Sequence, residues 1–206
     1  MKPLFILSCF IAMQAQAQKL DSLFKNTHLF VKMGVTQNNL SNNSIFNQAL
    51  TGLEMGTHLQ TKWNAKFYTH VGLSYVRKGS AREVIYTNAV GEKVLSYTEN
   101  VYLHYVQLPV VLNYNHQFSG PTNILLGAGA YGGYLFSAFT NPQHYYLSHE
   151  QEHKYNNLDM GGILSATICY KKWALYGQYQ TGILNISNNT GGLNNTWVIG
   201  LAYRLK

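Results

Sequence analysis

Apolar residues recur at every second position along most of this chain, and no helical spacing is sustained after residue 28. Leu29, Val31, Met33 and Val35 alternate with Phe30, Lys32, Gly34 and Thr36, and Leu53, Met55 and Leu59 with Glu54, Gly56, His58 and Gln60. Phe67, Val71, Leu73 and Tyr75 stand opposite Tyr68, His70, Gly72 and Ser74; Val106, Leu108, Val110, Leu112 and Tyr114 stand opposite Gln107, Pro109 and Asn113. Four more runs follow the same rule: Ile124 to Tyr134, Leu158 to Ile168, Trp173 to Gln180 and Trp197 to Leu205. The pattern predicts eight strands of roughly 9–13 residues, each with one apolar face and one polar or small face.

The connections alternate in length. Lys62 to Lys66, Asn115 to Thr122 and Lys171-Lys172 are short, whereas 37–48, 79–101, 137–157 and 185–195 are long and polar. An even number of strands with short turns at one end and long loops at the other predicts an all-β fold, an eight-stranded antiparallel up-and-down transmembrane barrel with its long loops outside the cell. Within 82–100, Val84-Ile85-Tyr86 and Val94-Leu95 flank Asn88 to Gly91. That segment either prolongs the third and fourth strands as a hairpin or adds two strands, giving ten.

Strand direction then sorts the outward aromatics into two groups. Phe67, Tyr114, Tyr170, Trp173 and Tyr203 fall near the short-turn end, and Tyr75, Tyr134, Phe136 and Trp197 near the long-loop end. Two aromatic girdles around an apolar band are what the two membrane interfaces require. The competing architecture is a soluble exported lipocalin-like carrier of a small ligand. It needs an apolar lumen, leaves Lys32, Glu54 and Asp159 outside and gives the girdles no purpose.

Composition agrees with a membrane-embedded chain. Charged residues make up 11% of the 206 positions and aromatics 14%, where a soluble domain carries about 25% charged residues. The net charge of +7 is diffuse, with no basic run, so a nucleic-acid partner is not expected. Residues 1–17 read as a signal peptide, with Lys2 before the apolar run Leu4 to Met13 and Ala15-Gln16-Ala17 as the cleavage site. Residues 18–206 are then the barrel domain. Cys169 is the one cysteine left in that domain, which excludes an intrachain disulfide. No later stretch reaches 18 apolar residues, so crossing a membrane must use strands. The expected location is the outer membrane, as a monomer in contact with outer-membrane lipid.

VKMGV at 31–35, LSYVRKGS at 73–80, LHYVQLPVVLNY at 103–114, LGAGAYGGYLF at 126–136, ALYGQYQTGILNI at 174–186 and WVIGLAYRL at 197–205 cover most of the chain. Through them the sequence resembles the small outer-membrane β-barrel domain family of Gram-negative bacteria, called PorT-like. The Tyr105-to-Pro109 strand is the most specific piece of the match. Gln107 and Gly127 stand where family members often carry acids, and the chain ends Leu205-Lys206 rather than on an aromatic residue. The resemblance implies a barrel without catalytic residues or cofactors. One branch of the family is tied to assembly of a secretion system, which implies envelope or secretion-system proteins as partners.

Three groups of residues are candidates for chemistry. His149-Glu150-Gln151-Glu152-His153 has the zinc-protease spacing, but that chemistry needs a helix held by a buried face. Its flanks, Tyr145-Tyr146 and Lys154-Tyr155, belong to a polar loop, so no metal site is expected. On the polar strand faces, Lys32, Glu54, Asp159 and Arg204 predict a filled lumen, with Lys32 and Glu54 close enough to pair and Asp159 and Arg204 at opposite ends. The glycines of the fifth strand, Gly127, Gly129 and Gly133, are expected to make room for a neighbouring tyrosine. In the long loops, Tyr86, Tyr97, Phe139, Tyr145, Tyr146 and Tyr155 are the candidate contacts for an external partner.

Overall fold

The computed structural model describes residues 26–41, 48–118, 120–142, 155–186 and 191–205, with the side chains of 140–142 left out. The predicted signal peptide lies outside the described residues. Among them are eight strands: β1 (Thr27–Ser41), β2 (Gln48–Lys62), β3 (Phe67–Thr87), β4 (Lys93–Gln117), β5 (Thr122–Pro142), β6 (Leu158–Tyr170), β7 (Trp173–Gly182) and β8 (Leu193–Arg204). Each pairs antiparallel with its neighbour in sequence, and β1 pairs with β8, so the sheet closes into a barrel.

Period-two burial runs through the strands. In β1, Phe30, Lys32, Gly34, Thr36, Asn38 and Leu40 are buried while the residues between them are exposed. Met33, Leu164 and Ile199 on the outer wall are 62%, 61% and 64% exposed. The inner wall buries Lys32, Glu54, Gln107, Asn113, Asp159, Gln180 and Thr196. This is the inverse of a lipocalin-like carrier, because a continuous apolar exterior is tolerated in lipid and not in water.

The cross-strand register confirms the two girdles. At the short-turn end Phe67 packs edge-on against Tyr114 with centroids 5.8 Å apart, and Trp173 against Tyr203 at 4.8 Å. At the other end Tyr179 meets Trp197 at 4.6 Å and Tyr75 meets Phe136 at 6.2 Å. Phe67 and Tyr75 are eight residues apart on β3, about 26 Å along a strand and about 20 Å across the membrane at the usual tilt, which fits the apolar band of such barrels.

The strands β3, β4 and β5 are longer than the lipid requires. Residues 82–100 are not two extra strands but the top of a single β3–β4 hairpin that keeps one register from Ser74↔Gln107 to Tyr86↔Leu95. Asn88 closes its tip: its Oδ1 accepts from Val90 N at 3.1 Å and Glu92 N at 2.9 Å, and Gly91 takes φ +85°. The predicted loop 137–157 likewise begins as strand, since β5 continues to Pro142 against Glu99. The β4–β5 register slips by one between His104 and Tyr105, a bulge that leaves Phe136 without a partner residue. Lower in β4, the pairs with β3 lapse between Val71↔Val110 and Ser74↔Gln107, where Pro109 has no N–H to give.

Candidate functional site: lumen and outer hairpin

The lumen is filled in layers. Nearest the short turns, Phe30 stacks on His58 at 4.9 Å and His58 on His70 at 4.8 Å. These rings border a cavity of about 50 Å³ that also touches Lys32, Cys169 and Tyr176. Arg204 stands at this end, half-buried and in register with Phe30. Above the cavity Lys32 Nζ donates to Glu54 Oε1 at 2.6 Å, and Tyr176 OH donates to Glu54 Oε2 at 3.1 Å. The lysine ammonium also lies 5.6 Å from the centre of the Tyr176 ring.

A second ion pair sits above the first. Lys78 Nζ donates to Asp159 Oδ2 at 2.9 Å with both side chains essentially withdrawn from solvent. Asn194 Nδ2 donates to the same oxygen at 3.0 Å, and Tyr131 OH to Oδ1 at 3.3 Å. Lys78 also lies 4.3 Å from the Tyr131 ring centre. Each buried charge thus has an opposite charge and further hydrogen-bond or ring partners, which is the condition for burying ions at acceptable cost. Over this layer Leu40, Val101, Leu103, Tyr105, Leu135 and Ile186 form an apolar cluster, and Tyr155 packs against it.

Four expected lumen residues are therefore divided. Lys32 and Glu54 meet; Asp159 and Arg204 stand apart, and Asp159 takes Lys78 instead. The apolar alternation of the third strand stops at Tyr75, so nothing apolar beside Lys78 marks its side. Continuing period two from Ser74 through Val76 places Lys78 on the inner wall. Room for the lumen tyrosines also comes from other glycines than those expected. A Cβ on Gly34 or Gly200 would stand 2.8 Å or 2.6 Å from the Tyr176 hydroxyl, and one on Gly161 would stand 2.8 Å from the Tyr131 ring. Gly127 and Gly129 instead face Asn113, Ser165, Val111 and the Val110 backbone; of the three expected glycines, Gly133 alone approaches a tyrosine, Tyr105, at 3.6 Å.

Beyond the upper girdle, the β3–β4 hairpin is held by an Arg82–Glu99 ion pair and, nearer the tip, by Lys93 Nζ donating to Glu83 Oε1 at 2.9 Å. Tyr86 and Tyr97 stack at 6.0 Å with their rings 23° apart. Tyr97 is 9% exposed and Tyr86 38%, so Tyr86 presents its ring while Tyr97 supports it. A hydrogen bond with Tyr86 is the main reason the Tyr97 hydroxyl is pushed up to about 12. Phe139 is 48% exposed, whereas Tyr155 turns inward onto the apolar cluster. Tyr145, Tyr146 and the segment from His149 to His153 lie outside the described residues. Among the described residues, no three His, Cys, Asp or Glu side chains gather as metal ligands.

Residues 14–188 match the family described as outer membrane protein beta-barrel domain. No curated protein matches the sequence. Among solved structures, Neisserial surface protein A is similar at 10% identity and a TM-score of 0.49, covering 86% of this chain and 97% of that one. The attachment invasion locus protein Ail of Yersinia pestis, in complex with the heparin analogue sucrose octasulfate, is similar at 9% identity and a TM-score of 0.42, covering 87% of this chain and 99% of that one.

Proposed function

Since the chain belongs to the outer membrane protein beta-barrel domain family and sits in the outer membrane, we propose that it is a non-enzymatic barrel that acts through its outward segments, as a surface-binding or envelope-assembly protein. The observation that carries this reading is the β3–β4 hairpin. It continues as paired strand from the upper girdle at Tyr75 to the turn at Asn88, far more structure than spanning lipid requires. A rigid projecting hairpin displays Tyr86 on a fixed frame, and binding residues concentrate on segments held by rigid scaffolds. The lumen gives no competing route, because two ion-pair layers and an apolar cluster occupy it. The Tyr105-to-Pro109 strand motif supports a PorT-like subtype with a secretion-system or envelope protein as partner, and residues 1–17 are the export signal removed on the way.

The test is a barrel in which 83–98 are replaced by Asn-Gly, joining Arg82 to Glu99 through a two-residue turn that suits a hairpin. The shortened protein should still show the faster-migrating unheated band of a folded barrel. It should fail to restore the envelope phenotype or the co-purifying partners lost in cells lacking the protein. Full restoration by the shortened barrel would refute the proposal.

A further inference from the structure

Just above the upper girdle, the outer wall of β3, β4 and β5 carries a continuous group of rings and one cation. Tyr75 OH lies 2.7 Å from His104 Nδ1. The His104 ring stacks on Phe139 at 5.3 Å, and Phe139 stacks on Tyr102 at 4.9 Å. The Arg77 guanidinium lies over the Tyr102 ring, 5.4 Å from its centre. Its Nη2 donates to the Thr51 carbonyl oxygen at 3.3 Å, while Nε is withdrawn from solvent and has no hydrogen-bond partner.

The other lysine and arginine side chains of this hairpin are paired within the protein. Arg82 is paired with Glu99, Lys93 with Glu83 and Lys78 with Asp159. Arg77 is not in ion-pair contact with any described carboxylate. Arg77 follows the girdle residue Tyr75 by two positions on the outer wall, which places it about 5 Å further out, at headgroup depth. A cation held there on an aromatic face, next to exposed ring edges, is placed to take a counter-charge from the surrounding lipid.

We propose that Arg77, Tyr102, His104 and Phe139 form a site for the phosphorylated sugar headgroup of an outer-leaflet glycolipid. The remaining Nη hydrogens of the guanidinium can donate to phosphate, and the edges of the mutually stacked Tyr102, His104 and Phe139 rings line the approach of the sugar. This wall is distinct from the hairpin tip and from the lumen, so the site works whether or not Tyr86 binds a partner.

Native mass spectrometry of the full folded barrel in detergent tests it with three lipids: bisphosphorylated lipid A, the same lipid dephosphorylated, and phosphatidylglycerol. The wild type should retain one bisphosphorylated lipid A, with retention falling about tenfold for the dephosphorylated lipid. Arg77→Gln should lower retention of the bisphosphorylated lipid about tenfold and no longer distinguish the two forms, Arg77→Lys should fall between, and Phe139→Ala should weaken both forms equally. Equal retention of the two lipid A forms by the wild type, undiminished retention by folded Arg77→Gln, or equal retention of phosphatidylglycerol would each overturn the proposal. If Arg77→Gln does not fold, the comparison of lipids on the wild-type protein decides alone.

Discussion

Lys78 and Asp159 are 81 positions apart in sequence, yet their charged ends meet at 2.9 Å in the interior of the barrel, one on β3 and the other on β6. The contact ties opposite walls together across the lumen. Replacing one member strands the other as an uncompensated buried charge, which costs about 3–5 kcal/mol. Lys78→Met should therefore lower the urea midpoint for unfolding from lipid vesicles sharply. Lys78→Met/Asp159→Leu should lose less than the sum of the two single changes, by about 1–3 kcal/mol. Strict additivity would show that the pair is not coupled.

The same layers predict a barrel that does not conduct. An eight-stranded barrel is only wide enough for its side chains to fill, and here the filling includes the Lys32–Glu54 and Lys78–Asp159 layers beneath the Leu103 and Tyr105 cluster. Purified protein in planar bilayers should give no stable current steps. Reproducible openings in the wild type would contradict the sealed lumen.

At the β1–β8 seam, the space beside Gly200 is closed by backbone. An added Cβ would lie 2.3 Å from the Met33 carbonyl oxygen and 2.6 Å from Gly34 Cα, so the strands must separate to admit it. Gly200→Ala should destabilise the barrel by about 1–3 kcal/mol and deplete the folded band on an unheated gel. Gly177→Ala, whose nearest contact would be at 3.9 Å, should fold as the wild type does. Equal behaviour of the two would be evidence against a tight seam.

The hairpin tip should respond to acid. The Lys93 ammonium beside Glu83 holds its carboxyl below the usual glutamate range. A carboxyl depressed in the folded state contributes stability that is complete above its unfolded pKa and is lost as pH falls through the lower, folded value. Carbon-13 NMR of Glu83 should show a midpoint below that of a free glutamate, and Lys93→Met should return it to the ordinary value. An unchanged midpoint in Lys93→Met would remove Lys93 as the cause.

Strand number, facing and the girdles were legible because lipid outside and a polar lumen inside impose a strict period of two, as in the run from Leu29 to Thr36. The upper parts of β3, β4 and β5 were not, because past Tyr75 the outer wall meets headgroups and water, and Arg77, Glu83 and Thr98 no longer mark a side by being apolar. Lys78 was lost at that boundary. The glycines that make room for Tyr176 were hidden for another reason. Gly34 and Gly200 are in direct register across β1 and β8, and such cross-strand neighbours are set by the closing register rather than by anything local to either strand. The buried Tyr97 and the inward Tyr155 likewise look, as residues in a sequence, no different from the exposed Tyr86.

Closure also bears on how the protein survives its own biogenesis. The first strand is completed against the last, with Phe30 facing Arg204 and Ser41 facing Leu193. Until the two strands meet, each carries a row of unanswered backbone donors and acceptors, and such edges are templates for aggregation. A chain cut short before β8 leaves β1 an open edge for good, whatever the strength of the contacts elsewhere in the barrel.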